Sequence, residues 1–423
     1  MVDQGLSSGA GLALNLVLAR WLLGEAYGAF AVAFATLLFF SGFHNVIVLE
    51  PMCVIGPARY SRRLGDYFVA QLKVHTVLVA ALSGLLLLVA AGMASLSMEP
   101  ALVRDTAASA VALPFLLLFW LVRRMCYVVH RPSLAVGTSA GYLVSVLAGV
   151  FLLRQASWLN AVTALLLVGA AGIFSALMPL QQLGVFWRKS PGACCWRQVA
   201  RENWAYGRVL TLSITLLWIA TQAQTYLAAG LIGLGAAGVL RALQIPSLAM
   251  TQIVGAIGLL VLPTMSRDYG AGRSDRILHK AVLTSAGLTA MAVAFAVLLG
   301  VFARPLEAAM FGGKFSSESW LIPLFGLVPV STGFALGFSI ALRSAHRPQF
   351  DLTANLVSAP LALLVALVFT KQWGLKGAAI SVVLGAALNS LVVFYSFRRW
   401  ASAGKSLPQP APCCPAVPDV TTN

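Results

Sequence analysis

One charge stands alone in the run from residue 209 to 266: Arg241. A guanidinium offers a planar fork of donors that fits phosphate oxygens in bidentate fashion. Inside an apolar run it is costly unless it faces a cavity or a partner. Arg241 is therefore the first candidate for holding an anion, with snorkelling to nearby headgroups as the competing reading. Arg20 and Arg154 close two other apolar runs and are further cationic candidates, for which snorkelling is the stronger alternative. Arg123 and Arg124 end another run and read as interfacial anchors. Gln222, Gln224 and Thr225 have the amide and hydroxyl groups that bind sugar hydroxyls. Equally, they have those that join helices, at roughly 0.6 kcal/mol each. Asn389 and Ser390 read as packing residues.

Proton chemistry has one candidate pair. Glu50 closes the run Ala26–Leu49, in which no Asp, Glu, Lys or Arg occurs and His44 is the only histidine. Close to two helical turns separate them, a spacing at which a His–Glu proton relay can form. The plainer alternatives are a hydrated interfacial Glu and a His satisfied by a neighbouring helix. No nucleophile–base set is apparent, and Glu99 and Asp105 are the best acids for handling a sugar phosphate. The six cysteines, Cys53, Cys126, Cys194, Cys195, Cys413 and Cys414, have no His at ligand spacing, so neither a metal nor a cofactor is expected. The expectation is a protein that is not an enzyme.

The elements that must position these groups are membrane helices. Of the 423 residues, 59% are hydrophobic and 10% charged, and mean hydropathy is +0.87; soluble domains typically carry about 25% charge. Twelve stretches lack Asp, Glu, Lys and Arg: 4–19, 26–49, 74–98, 106–122, 132–153, 155–187, 209–240, 242–266, 281–303, 319–342, 352–370 and 377–397. Most suit one helical crossing and are too long for barrel strands. With alternate loops on alternate sides, 21 of the 29 Lys and Arg residues fall on one side and 8 on the other. The positive-inside rule makes the rich side cytoplasmic, with both termini there. The net charge of +16 then reflects topology and contact with anionic lipids, not nucleic acid. The N-terminus reads as the first helix rather than a signal peptide.

These features predict an all-α membrane protein of about twelve transmembrane helices, in two six-helix lobes related by a pseudo-twofold along the membrane normal. The lobes are 1–182 and 209–400, joined by a cytoplasmic connection, 183–208. The Trp-rich segment from Trp187 to Trp204 is expected to lie along headgroups. A Pro-rich tail, 401–423, is expected to be disordered. A faint repeat sets Gly24, Gly28, Pro51 and Asp66 against Gly235, Gly238, Pro263 and Asp275.

ARWLLGEAYGAF (Ala19 to Phe30), TQAQTYLAAGLIGLGAAGVLRALQ (Thr221 to Gln244), LPTMSRDYGAG (Leu262 to Gly272) and WGLKGAAIS (Trp373 to Ser381) together resemble bacterial polysaccharide exporters, the O-antigen-type oligosaccharide flippases. The resemblance spans nearly the whole chain in order. It implies membership of the superfamily that also holds multidrug exporters and lipid-linked peptidoglycan precursor flippases. It also implies a central cavity between lobes, and transfer of undecaprenyl-pyrophosphate-linked oligosaccharide from the cytoplasmic to the periplasmic leaflet of the bacterial inner membrane. Lipid-linked oligosaccharide is then the substrate partner, with a polysaccharide polymerase and chain-length machinery as further partners. Some relatives place an acid near the middle of helix 7, where this chain has Gln222 and Gln224, so the coupling mechanism stays open. Relatives commonly open on a basic leader that this sequence lacks, so a start further upstream is expected.

Two other functions compete. A multidrug or metabolite antiporter of the same fold would need buried acids for cationic cargo, and only 13 Asp and Glu are present, nearly all in loops or tails. A membrane-embedded polysaccharide polymerase or glycosyltransferase would need a large outer loop or outer acids, and the predicted outer loops are short.

Overall fold

The computed structural model describes residues 2–184, 195–345 and 349–403. Among them all regular structure is helical, because a chain this apolar must satisfy its backbone within each segment. The first lobe holds α1 (Val2–Trp21), α2 (Gly24–His44), α3 (Glu50–Arg59), α4 (Leu64–Ser95), α5 (Pro100–Val128), α6 (Pro132–Gln155) and α7 (Ala161–Gln182). The second holds α8 (Trp196–Leu231), α9 (Leu234–Gly270), α10 (Ser274–Val301), the short α11 (Ala303–Phe311), α12 (Leu321–Ser344) and α13 (Gln349–Ala403).

Local signals set the boundaries. Pro100 and Pro132 open α5 and α6 where a missing N–H costs nothing. Asn160 and Thr163 form a reciprocal capping box at the start of α7. Gly374, with φ 57° and ψ −133°, breaks α13 into two arms, a conformation open to glycine alone. Those arms are the expected eleventh and twelfth crossings. Between α2 and α3 the helix does not stop. It passes through a π turn, Asn45–Leu49, so that Gly24–Arg59 is one continuous rod.

Nine described helical segments are long and apolar enough to cross a bilayer. The last of these is the two-armed α13; counting its arms separately, together with the less apolar helices α1 and α8, the number of long helices matches the twelve expected. Large apolar side chains such as Leu88, Phe174, Leu283 and Tyr395 stand exposed on the outer wall, as lipid-facing residues do. Inside each lobe small residues bring backbones together. Gly169 and Gly172 of α7 lie on the backbone of Ala112 and Phe115 in α5, and Gly337 of α12 lies on Ala281 of α10.

The connection between the lobes differs from expectation. Residues 187–194 of the Trp-rich segment lie outside the described residues, as do 404–423 of the tail. Trp196 to Trp204 does not form a separate surface segment; it is the first turns of α8, 36 residues long and so about 54 Å. Those turns pack on the first lobe. Val199 and Asn203 are fully buried, and the Asn203 and Gln71 amides bond each other at 3.0 and 3.3 Å. Glu202 accepts from Tyr60 at 3.1 Å and Arg59 at 3.3 Å.

The repeat glycines meet in space. A Cβ on Gly28 would lie 1.8 Å from the Leu234 carbonyl oxygen and 3.3 Å from Gly238 N. One on Gly238 would lie 2.7 Å from Gly24 O and 3.1 Å from Gly28 N. The two helix starts thus close on each other almost symmetrically across the lobe boundary. This seals the charge-poor end.

A cationic central cavity as candidate functional site

Below that seal, toward the end rich in Lys and Arg, lies a cavity of about 440 Å³ between the lobes, walled by α1, α2, α5, α8 and α9. One wall is a polar stripe on α1, where Gln4, Ser7, Ser8, Gly11 and Asn15 recur at helical spacing. Arg123 and Arg124 enter from α5, Gln222 from α8, and Arg241 and Gln252 from α9.

The arginines are not equivalent. Buried Asp3 accepts from Arg123 Nε at 3.0 Å, from Tyr127 Oη at 2.7 Å and from the Ser139 hydroxyl. Arg123 gives two further donors, to Ser7 Oγ at 2.6 Å and Gln4 Oε1 at 3.0 Å. It is neutralised and held. Arg124 and Arg241 make no ion pair or hydrogen bond among the described residues. Glu50 acts electrostatically on Arg124 and Arg343 across the inner rim and accepts a 3.0 Å bond from Asn45. Two guanidiniums of the cavity thus lack a direct ion-pair partner among the described residues, Arg124 feeling Glu50 only at a distance, and an anion would neutralise them.

Two further spaces continue it. A cavity of about 280 Å³ enters the second lobe and shares Gln222, Arg241 and Leu248 with the first. Another, of about 410 Å³, shares Gln4, Ser8, Arg123, Arg124 and Gln252. It runs between α1 and α9 past the apolar Ile253, Ala256 and Leu260, so guanidinium groups sit beside hydrocarbon.

The structure sorts the candidate residues as follows. Arg241 and Gln222 stand at the junction of the two main cavities, and Gln224 lines the second-lobe one. Thr225 is buried and lines none of these spaces. Arg20 and Arg154 lie apart, at the charge-poor end: Arg20 donates to the Ala309 carbonyl at 2.7 Å, and Arg154 stacks 3.8 Å over Trp21. Geometry separates His44 from Glu50. His44 Nε2 sits 2.9 Å from His75 Nδ1, both rings buried, while Glu50 bonds Asn45. Six residues at about 100° each leave two side chains about 120° apart even on a regular α-helix, and each has found a different partner. Arg123 and Arg124, read as anchors, line the cavity, and Asp3 and the α1 stripe join them. The stripe was visible as a polar 3–4 spacing within an apolar run.

No protein-family model matches the chain. Its architecture is similar to solved transporters along nearly its whole length. An inward-facing multidrug-resistance MATE family transporter of the MOP superfamily superposes with a TM-score of 0.76 at 13% identity, covering 95% of both chains. The lipid II flippase MurJ, in an inward closed conformation, gives 0.70 at 11% identity, covering 94% of this chain and 87% of that one. A MATE transporter of Vibrio cholerae gives 0.65 at 15% identity, covering 95% of both. The fold is that of the MOP-superfamily transporters. At such identities the likeness is one of fold alone. An outward-facing MATE structure gives a TM-score of 0.69, lower than the inward-facing one.

Proposed function

We propose that the chain is a flippase for undecaprenyl-pyrophosphate-linked oligosaccharide, moving it from the cytoplasmic to the periplasmic leaflet of a bacterial inner membrane by alternating access. The observation that supports this is the pair of guanidiniums without a direct ion-pair partner among the described residues, Arg124 and Arg241, in one interlobe cavity. Pyrophosphate is a doubly phosphorylated anion suited to two arginines, and the apolar gap between α1 and α9 gives a prenyl chain a path that stays in lipid. Both termini are cytoplasmic in this reading. Anionic lipids contact the basic rim, and a polysaccharide polymerase with its chain-length machinery uses the product. The His44–His75 and Glu50–Asn45 pairs flanking the π turn are our candidates for energy coupling.

A multidrug or metabolite antiporter is the second reading. One observation favours it: Asp105 of α5 is buried with Oδ2 unpartnered. Asp105 does not line the cavity, however, and the acid nearest cationic cargo, Asp3, is consumed by Arg123.

Deleting the gene and extracting the lipid fraction separates the two. The flippase reading expects undecaprenyl-linked oligosaccharide to accumulate and surface polysaccharide to vanish, both restored by wild type and not by Arg241→Ala. Unchanged lipid intermediate and surface polymer, in a strain with no second exporter, would refute it.

A further inference from the structure

The second-lobe cavity has a chemistry of its own. Its polar lining includes Gln222, Gln224, Gln244, Ser247, Asn389 and Ser390, with no acid and one cation, Arg241, at its junction with the central cavity. Gln224 and Ser247 are 2% and 4% exposed, and Gln224 Oε1 and Ser247 Oγ are buried with no hydrogen-bond partner. The Gln222 and Gln244 amides make no hydrogen bond among the described residues. Asn389 gives its two N–H donors to Asn355 at 3.1 Å and Ser358 at 3.0 Å. This fixes the side chain and leaves its carbonyl oxygen as an acceptor. Orphaned buried polar groups are rare in native proteins and ask for an occupant.

Resting on the flippase reading, we propose that this cavity is the glycan-recognition site, and that it takes an uncharged, hydroxyl-rich sugar unit next to the pyrophosphate. Hydrocarbon is a poor occupant: a prenyl chain would leave Gln224 and Ser247 unsatisfied while excluding water. A cationic drug finds no carboxylate here. Sugar hydroxyls both donate and accept, as a wall of neutral amides and hydroxyls requires. Arg241 stands where pyrophosphate held in the central cavity would pass its first sugar into the second lobe. A site built to hydrogen-bond a ligand also rejects analogues lacking those groups, so substrate choice resides on α8, α9 and the second arm of α13.

The test uses the full chain in lipid nanodiscs and two probes: undecaprenyl pyrophosphate, and the same lipid bearing one N-acetylglucosamine. Wild type should bind the glycosylated probe about ten-fold more tightly, the value of one or two recovered hydrogen bonds. Gln224→Leu with Ser247→Ala should abolish that preference and keep affinity for the bare lipid, whereas Arg241→Gln should weaken both probes alike. Ser247→Ala alone, a smaller change, should halve or more than halve the preference, with the melting temperature confirming a folded protein. If wild type binds the bare lipid and the sugar adds nothing, the flippase reading stands and the glycan site is wrong. An equal loss for both probes in the folded variants also overturns the site. If wild type binds neither lipid, both the site and the flippase reading fall.

Discussion

At the level of single residues the cavity works by unequal treatment of like charges. Arg123 is paired with Asp3 and held by Ser7 and Gln4, and in the proposed reading Arg124 and Arg241 hold the cargo. The Asp3–Arg123 pair is buried, with side-chain exposures of 1% and 10%. Removing one partner of a buried pair typically costs about 3–5 kcal/mol. Asp3→Ala should therefore lower the melting temperature by several degrees, whereas Arg124→Ala should leave melting unchanged and weaken lipid pyrophosphate binding about ten-fold or more. Thermal unfolding and equilibrium binding in the same detergent check both. Arg241 was legible in the sequence because a lone charge inside an apolar run has few cheap explanations. Arg123 and Arg124 were not, because a doublet at the end of a run looks the same whether it faces headgroups or a cavity. The His44–Glu50 pairing was not legible, because the partner of His44 is His75 on α4, which the spacing along one helix does not reveal.

Helices and their ends decide which side of the molecule is open. At the charge-poor end Lys314, beyond α11, donates to the Ala19 and Leu22 carbonyls at the C-terminal end of α1, a favourable place for a cation. Arg20 returns a bond to Ala309. These bonds tie the first lobe to the second on the side already sealed by Gly28 and Gly238. Gly28→Val would drive side-chain atoms into the Leu234 carbonyl. It should expose the charge-poor end, read as labelling there of a cysteine placed at the buried Ala237 in an otherwise cysteine-free chain. Lys314→Ala with Arg20→Ala should raise the same labelling more modestly. Cys195, just before α8, is exposed, and backbone N–H groups of Gln198 and Arg197 hold its thiol below the usual value. It should react with maleimide near pH 7 faster than an ordinary surface thiol, from the cytoplasmic face in inverted vesicles and not from outside in intact cells. Reaction from outside would contradict the assigned topology. The apolar runs made most of these helices readable. The α8 extension was not, because its amphipathic face suits headgroups as well as a neighbouring lobe.

The whole molecule is two helical lobes hinged so that basic, polar and apolar spaces converge. Twelve crossings, two lobes and the glycine repeat could be read from charge-free runs and spacing, since lipid leaves a chain few alternatives. The cavity could not, because it depends on the angle between lobes and on which arginine is already paired. In the proposed reading its parts match a three-part amphiphile: Arg124 and Arg241 for pyrophosphate, the second-lobe cavity for sugar, the α1–α9 gap for the lipid tail. The most direct test is transbilayer movement in proteoliposomes. The full chain is reconstituted with a glycosylated undecaprenyl pyrophosphate, and a membrane-impermeant lectin reports its arrival in the opposite leaflet. The account predicts rapid appearance with wild type and a rate near that of protein-free vesicles with Arg124→Ala and Arg241→Ala combined. Wild-type movement no faster than protein-free vesicles, or undiminished movement in the double variant, would contradict it.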